Sequence, residues 1–194
     1  MEKWNYEKEL SKGLKPGHLI LSEPFMWDPN FSRTVVLLTE HDENGSVGYV
    51  LNRPVNLKLH EAIEDFPETD LHVYYGGPCE ENTLHYIHSL GETIDGAIKL
   101  RDGVYYGGNF ETVKILVENG QLDSSHIKFF LGYSGWTAGQ LELELKENSW
   151  IVDNKFSLKA LLSNQTTVLW KNIMESMGGL YKTMSLYPTD PNLN

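Results

Sequence analysis

The chain has 194 residues, of which 40% are hydrophobic and 11% aromatic, a composition typical of a folded globular protein with a substantial core. It carries 27 acidic and 16 basic residues, a formal net charge of −11, without a block rich in Lys or Arg. Because nucleic-acid binding depends on basic residues that contact phosphates, we expect no specific binding to DNA. No segment has the roughly 18 consecutive apolar residues of a membrane span, and residues 1–9 lack the apolar stretch of a secretory signal. We therefore expect a soluble, acidic, cytoplasmic protein.

The content of cysteine and histidine argues against metal and redox chemistry. Cys79 is the one cysteine, which excludes an intrachain disulfide and a cysteine-rich zinc site. His85 and His88 are three residues apart, a spacing that places them on opposite faces of the strand predicted there. We expect no metal site and no cofactor.

In chain order, residues 1–16 form a polar appendage and residues 17–194 a single domain. The domain begins with a short strand at 19–21. A β-hairpin follows over 35–54, because two runs of apolar and β-branched residues flank Asn44-Gly45, a dipeptide that favours a tight turn.

The rest of the domain alternates strands and helices irregularly. Apolar residues at 59, 62, 63 and 66 predict a helix over 57–66 that Pro67 ends. Further strands are predicted at 73–75, 84–88, 104–106, 126–133 and 150–152, and further helices at 110–118 and 166–177. This order, with a hairpin among its elements, predicts an α+β fold with a mixed sheet.

The segment Gly132–Trp136 is rich in glycine and predicts a turn. Thr137 and Gln140 match a capping box, so a helix is expected to begin at Thr137, although the alternation of Leu and Glu over 141–145 also fits a strand. A helix N-terminus favours an anion or a carboxylate. The alternative is a cap that only satisfies its own helix.

The same segment resembles the nucleophile elbow of hydrolases, with Ser134 in the nucleophile position. An elbow needs small residues two positions on either side of the serine, and Trp136 occupies one of these positions. We therefore do not expect Ser134 to act as a nucleophile.

Two arginines are expected to meet at the open end of the hairpin. If Asn44-Gly45 is the centre of the turn, Arg53 lies opposite Val36 and close to Arg33. Guanidinium groups bind carboxylates and phosphates, so the pair could hold an anion, although each could instead pair with an acidic neighbour. The site predicted for an anionic small molecule or protein partner joins this pair to the turn, and it comprises Arg33, Asn52, Arg53, Gly135, Trp136, Thr137 and Gln140.

Several separated motifs together resemble one known family. They are Phe31–Leu38, Leu51-Asn52-Arg53-Pro54, Gly76-Gly77-Pro78, Gly132–Trp136 and Leu169-Trp170. In this order they are similar to the AlgH/YqgE family of small bacterial proteins. The resemblance covers roughly residues 17–180 and implies a bifurcated β-sheet that includes a small barrel, surrounded by helices. Cys79 and Ser134 depart from the family pattern, which usually has an aliphatic residue and alanine there.

Three functional hypotheses follow. The motif residues shape backbone and binding surfaces and include no nucleophile and base, which favours a noncatalytic regulatory or ligand- or partner-binding module. The second hypothesis is a transcriptional regulator, the label that the resemblance often carries. The third is a hydrolase or transferase that uses the Gly132–Trp136 segment.

Overall fold

The computed structural model describes residues 13–162 and 164–189. Within them the strands are β1 (Leu19–Ser22), β2 (Val35–Asp42), β3 (Gly45–Val50), β4 (Pro54–Lys58), β5 (His72–Tyr75), β6 (Cys79–His88), β7 (Ile98–Arg101), β8 (Val104–Tyr106), β9 (Ile127–Thr137) and β10 (Trp150–Asp153). The helices are α1 (Leu59–Ala62), α2 (Phe110–Glu118), α3 (Gln140–Lys146), α4 (Leu158–Leu161), α5 (Thr166–Met177) and α6 (Gly179–Met184), with a 3-10 turn at Gly91–Thr93. None of the helices in this part of the chain is long and apolar enough to cross a membrane.

The strands form one mixed sheet in the order β10-β1-β2-β3-β9-β6-β8-β7. The sheet divides at β9, which pairs with β3 through residues 134–137 and with β5 through residues 129–131. The pairing with β5 is parallel and the others are antiparallel. The predicted mixed α+β fold is therefore confirmed. The small barrel is not closed, because β10 and β7 lie at opposite ends of the strand order.

Apolar side chains pack on both faces of this sheet. The largest buried cluster includes Leu19, Leu37 and Phe130 and is covered by Trp170 of α5. A second cluster joins Phe129 of β9 to Val113, the buried residue of α2. Phe129 and Phe130 lie in different clusters because successive residues of a strand point to opposite faces of the sheet.

The hairpin is confirmed, but its predicted register is wrong. Asp42 pairs with Gly45, so the turn residues are Glu43 and Asn44 and not the predicted Asn44-Gly45. A β-bulge shifts the register by one more residue between Leu38 and Glu40. Val36 consequently lies opposite Val50, three residues before Arg53.

The helix predicted over 57–66 is much shorter, because strand pairing extends into its first residues. Lys58 pairs with His72, and its ammonium group contacts Asp70 at 2.7 Å. The helix then covers Leu59–Ala62 only, because the backbone is already extended at Ile63, with a φ of −126° and a ψ of 121°.

The predicted turn at Gly132–Trp136 is wrong, because β9 continues through Thr137. The glycines here allow backbones to approach closely: a Cβ on Gly132 would lie 2.7 Å from the Gly77 carbonyl oxygen. α3 begins at Gln140 after Gly139, whose φ of 73° favours glycine, so Thr137 is not the N-cap.

The helices predicted at 110–118 and 166–177 are confirmed with the same bounds. Strands β4 and β7 and helices α4 and α6 were not predicted. Residues 1–12 of the predicted appendage lie outside the described residues.

Candidate functional site

The two predicted arginines contact backbone carbonyls. The Arg33 Nη2 donates to the carbonyl oxygens of Tyr187 at 2.6 Å and Pro188 at 2.9 Å, and its guanidinium lies 4.7 Å from the Trp170 ring centroid. Partial burial lowers the pKa of Arg33, although Glu23 opposes that shift. Arg33 therefore fastens the C-terminal segment to α5.

Arg53 and Asn52 act on the loop that precedes β2. The Arg53 Nη2 donates to the carbonyl oxygens of Pro29 and Ser32, both at 3.0 Å. The Asn52 amide accepts the Val35 N–H and donates to the Arg33 carbonyl, both at 2.9 Å. Through these hydrogen bonds, Asn52 and Arg53 stabilise the loop that precedes β2.

The other predicted site residues, Gly135, Trp136, Thr137 and Gln140, form a separate group at the end of β9 and the start of α3. Trp136 is only 6% exposed, and its indole N–H donates to Glu144 at 2.9 Å. The Gln140 amide oxygen accepts the Thr137 N–H at 3.0 Å, which is half of the predicted capping box. Gly135 and Thr137 remain exposed.

The structure does not bring these two groups together around one open site. Thr137 pairs with Gly45 at the closed end of the hairpin, whereas Arg53 follows its open end. The eight residues of β2 between these ends span roughly 25 Å. Trp136 reaches the loop held by Arg53 through its contact with Phe31, at 6.0 Å between ring centroids, but this contact lies in the core.

The surface beside Gly135 and Thr137 also has the wrong charge for an anion. The depression that contains both residues is lined by the carboxylates of Glu40 and Asp42. Negative side chains that line a depression repel an anion bound in it.

Ser134 lies in the middle of β9 and is fully buried. Its hydroxyl donates to the Gly76 carbonyl oxygen at 3.0 Å. The Ser134 hydroxyl therefore satisfies a backbone acceptor and stabilises the fold. A backbone carbonyl is not a base that could activate the hydroxyl as a nucleophile.

A pocket that sequence reasoning missed opens where β8 ends beside β6; we call it the β6–β8 pocket. Its volume is about 620 Å³. β8 pairs with β6 only at Ile87 and His88, and the chain then turns away through Gly107 and Gly108. The apolar walls come from four side chains: Ile63 just after α1, Leu84 of β6, Ile98 of β7 and Phe110 of α2.

Three polar aromatic side chains, His85, Tyr86 and Tyr106, also line this pocket. The His85 Nδ1 lies 3.3 Å from the Tyr106 hydroxyl, which lies 3.0 Å from the Tyr49 hydroxyl. On the other side of the ring, the His85 Nε2 lies 2.9 Å from the Thr83 hydroxyl. A continuous chain of hydrogen bonds therefore runs from Tyr49 to Thr83.

The pocket is electrically neutral. Among the described residues that line it, none is Lys, Arg, Asp or Glu. Burial lowers the pKa of His85, so its imidazole is uncharged at pH 7. Burial also raises the pKa of Tyr86 to about 12, and the Tyr86 hydroxyl donates to the Gly108 carbonyl at 2.7 Å.

The sequence contained a faint signal for this pocket, since His85 interrupts an apolar strand and Tyr105-Tyr106 ends another. The signal was weak because only strand order brings Tyr49, His85 and Tyr106 together from three parts of the chain. In the described part of the chain, no group of three His, Cys, Asp or Glu side chains has a geometry that could hold a metal ion.

Comparisons with known proteins agree with the fold. The model of the AlgH-like family DUF179 matches residues 19–182. A UPF0301 protein of Chlorobaculum tepidum is 40% identical over 181 residues, which cover 93% of this chain and 96% of the relative. A UPF0301 protein of Parabacteroides distasonis is 43% identical over 180 residues, covering 92% and 90%.

Two solved structures are similar over most of their length. The solution structure of the AlgH protein from Pseudomonas aeruginosa is 26% identical with a TM-score of 0.70, and the match covers 89% of this chain and 94% of that chain. The crystal structure of a protein from Corynebacterium diphtheriae is 20% identical with a TM-score of 0.74, covering 90% and 93%. The chain is thus an α+β protein with an AlgH-like sheet. It belongs to the AlgH-like family.

Proposed function

We propose that this protein is a noncatalytic binding module for a small molecule and that the β6–β8 pocket is its site. One observation carries the proposal: a pocket of about 620 Å³ combines apolar walls with three polar side chains, those of His85, Tyr86 and Tyr106. This volume and this mixture are typical of small-molecule sites, which lie in the range of about 300–1,000 Å³.

The chemistry of the pocket supports binding over catalysis. Both ring nitrogens of His85 are engaged, one by Tyr106 and the other by Thr83. A general base needs a free lone pair within reach of a substrate proton, and a nucleophile needs such a base beside it. The lining side chains supply neither.

The hypothesis of a transcriptional regulator has less support from the residues. A regulator that binds DNA directly needs a basic surface that contacts the DNA phosphates, whereas this chain has a net charge of −11. A regulator that acts through a bound small molecule is compatible with the proposed pocket.

The test uses N-phenyl-1-naphthylamine, an uncharged dye whose fluorescence rises in apolar sites. We expect saturable binding to the full-length protein and amide shift changes in NMR spectra at Tyr86, Gly107 and Gly108. Ile98→Asp should weaken this binding at least tenfold, because it puts a charge at the rim of an apolar pocket.

Ile115→Asp provides the matched control. Ile115 is 54% exposed on α2 and Ile98 is 58% exposed on β7, so both substitutions add the same charge at similar exposure. Only Ile98 lines the pocket. The absence of saturable binding, or an equal loss of affinity in both variants, contradicts the proposal.

A further inference from the structure

The hydrogen bonds beside the β6–β8 pocket have a fixed direction, which begins at Thr83. The Thr83 hydroxyl lies 2.8 Å from the Glu80 carbonyl oxygen. A carbonyl oxygen can only accept, so the single hydroxyl proton of Thr83 is donated to Glu80. In its 2.9 Å contact with the His85 Nε2, the Thr83 oxygen must therefore accept.

This direction assigns the tautomer of His85. The Nε2 carries the ring proton, and in a neutral imidazole the Nδ1 then carries a lone pair. Burial lowers the pKa of His85, which keeps the ring neutral at pH 7. In the 3.3 Å contact with Nδ1, the Tyr106 hydroxyl is the donor.

The same argument then assigns Tyr49. Because Tyr106 donates its only proton to His85, the 3.0 Å contact between the two tyrosine hydroxyls requires Tyr49 to donate. With its proton donated to His85, the Tyr106 hydroxyl can form any further hydrogen bond only as an acceptor.

Resting on the proposed function, we infer that the pocket selects an uncharged, largely apolar ligand that donates one hydrogen bond, from N–H or O–H, to the Tyr106 hydroxyl oxygen. A carboxylate or phosphate finds no cation among the lining residues described above, and its desolvation stays uncompensated. A ligand that offers only acceptors meets the lone pair of Tyr106 with a lone pair of its own.

Three related dyes test this inference on the full-length protein. N-phenyl-1-naphthylamine has one N–H donor, its N-methyl derivative has none, and 8-anilino-1-naphthalenesulfonate adds a negative charge to the same skeleton. We expect the N–H dye to bind about fivefold more tightly than the N-methyl dye, a difference typical of one neutral hydrogen bond. The sulfonate should bind at least tenfold more weakly than the N–H dye.

Tyr106→Phe removes the acceptor. It should lower the affinity of the N–H dye to that of the N-methyl dye and leave the affinity of the N-methyl dye unchanged. Tyr105→Phe is the matched control, because it removes a hydroxyl from the preceding residue, which stacks on His88 and does not line the pocket. If Tyr106→Phe does not fold, the comparison of the three dyes on the unmodified protein still decides.

The outcomes separate this inference from the function on which it rests. Equal affinities for the N–H and N-methyl dyes, or equal affinities for the neutral and sulfonated dyes, overturn the inference while the pocket remains a binding site. Failure of every dye to bind overturns the proposed function itself.

Discussion

The Asn52 side chain takes the place of a strand partner for Val35: its Oδ1 accepts the Val35 N–H at 2.9 Å, just beyond the end of the hairpin. Its amide nitrogen donates to the Arg33 carbonyl at 2.9 Å. One side chain thus satisfies a donor and an acceptor of a loop that would otherwise leave both unpaired.

We therefore expect Asn52→Ala to lower the free energy of unfolding by about 1–3 kcal/mol, since it leaves two partly buried backbone groups without partners. Urea unfolding measures the change. Asn56→Ala is the control, because Asn56 is exposed on β4, and its effect should stay within about 0.5 kcal/mol. Equal effects of the two substitutions would show that Asn52 does not hold the loop.

Gly76→Ala should prevent folding or destabilise the protein by about 3 kcal/mol or more, because the new Cβ would lie 2.2 Å from the Gly132 carbonyl oxygen. Gly120→Ala meets no atom within 4 Å, although Gly120 has a φ of 64°. Its cost should be limited to the strain of about 1–2 kcal/mol for alanine in that conformation. Soluble yield and urea unfolding compare the two variants. A Gly76→Ala variant as stable as Gly120→Ala would contradict the close approach of Gly76 to Gly132.

Lys128 is 2% exposed, its ammonium group donates to the Leu51 carbonyl at 3.2 Å, and it lies 4.3 Å from the Tyr74 ring centroid. Burial lowers the pKa of Lys128 to about 7. Between pH 7 and 10 the unfolded chain therefore binds more protons at this residue than the folded chain, so its contribution makes the folded state more stable as the pH rises.

Lys128→Met removes this titration. The free energy of unfolding of the unmodified protein, minus that of the variant, should increase by roughly 2–4 kcal/mol from pH 7 to pH 10. Lys99→Met, which removes an exposed lysine paired with Asp102, should show no comparable change. A difference between Lys128→Met and the unmodified protein that is constant over this pH range would refute the lowered pKa.

The net charge of −11 predicts that the protein does not bind duplex DNA specifically at physiological salt. Fluorescence anisotropy at about 150 mM salt should show no binding tighter than the nonspecific range of roughly 10⁻⁶ to 10⁻⁴ M. Sub-micromolar binding that depends on the DNA sequence would support the hypothesis of a transcriptional regulator.

The elements that the sequence predicted correctly depend on local patterns. α2 has its N-cap at Asn109, which accepts the Thr112 N–H, and α5 ends at Gly178 with a φ of 71°. Asn44-Gly45 likewise marks the hairpin to within one residue, because the turn is formed by Glu43 and Asn44. Such signals lie within a few residues of each other, so the chain alone contains them.

The predictions that failed required knowledge of distant partners. Residues 132–137 form a strand and not a turn because Gly132 lies against Gly77 of a distant segment. The local sequence does not encode that contact. Lys58 is in a strand because His72 pairs with it, and this pairing outweighs the helical spacing of residues 59–66. Arg53 lies away from Val36 because the hairpin turns at Glu43 and Asn44, before the predicted centre, and the bulge between Leu38 and Glu40 shifts the register by one more residue.

By itself, the sequence determined the family, the mixed α+β class and the ends of the two longest helices, because these depend on motifs, composition and local caps. Only the tertiary structure decided that Arg33 and Arg53 bind backbone carbonyls, and that Tyr49, His85 and Tyr106 join in one hydrogen-bonded chain beside a pocket. The physical reason is the order of the strands: β3, β9, β6 and β8 are neighbours in the sheet but not in the chain, so the groups that they carry meet only after folding.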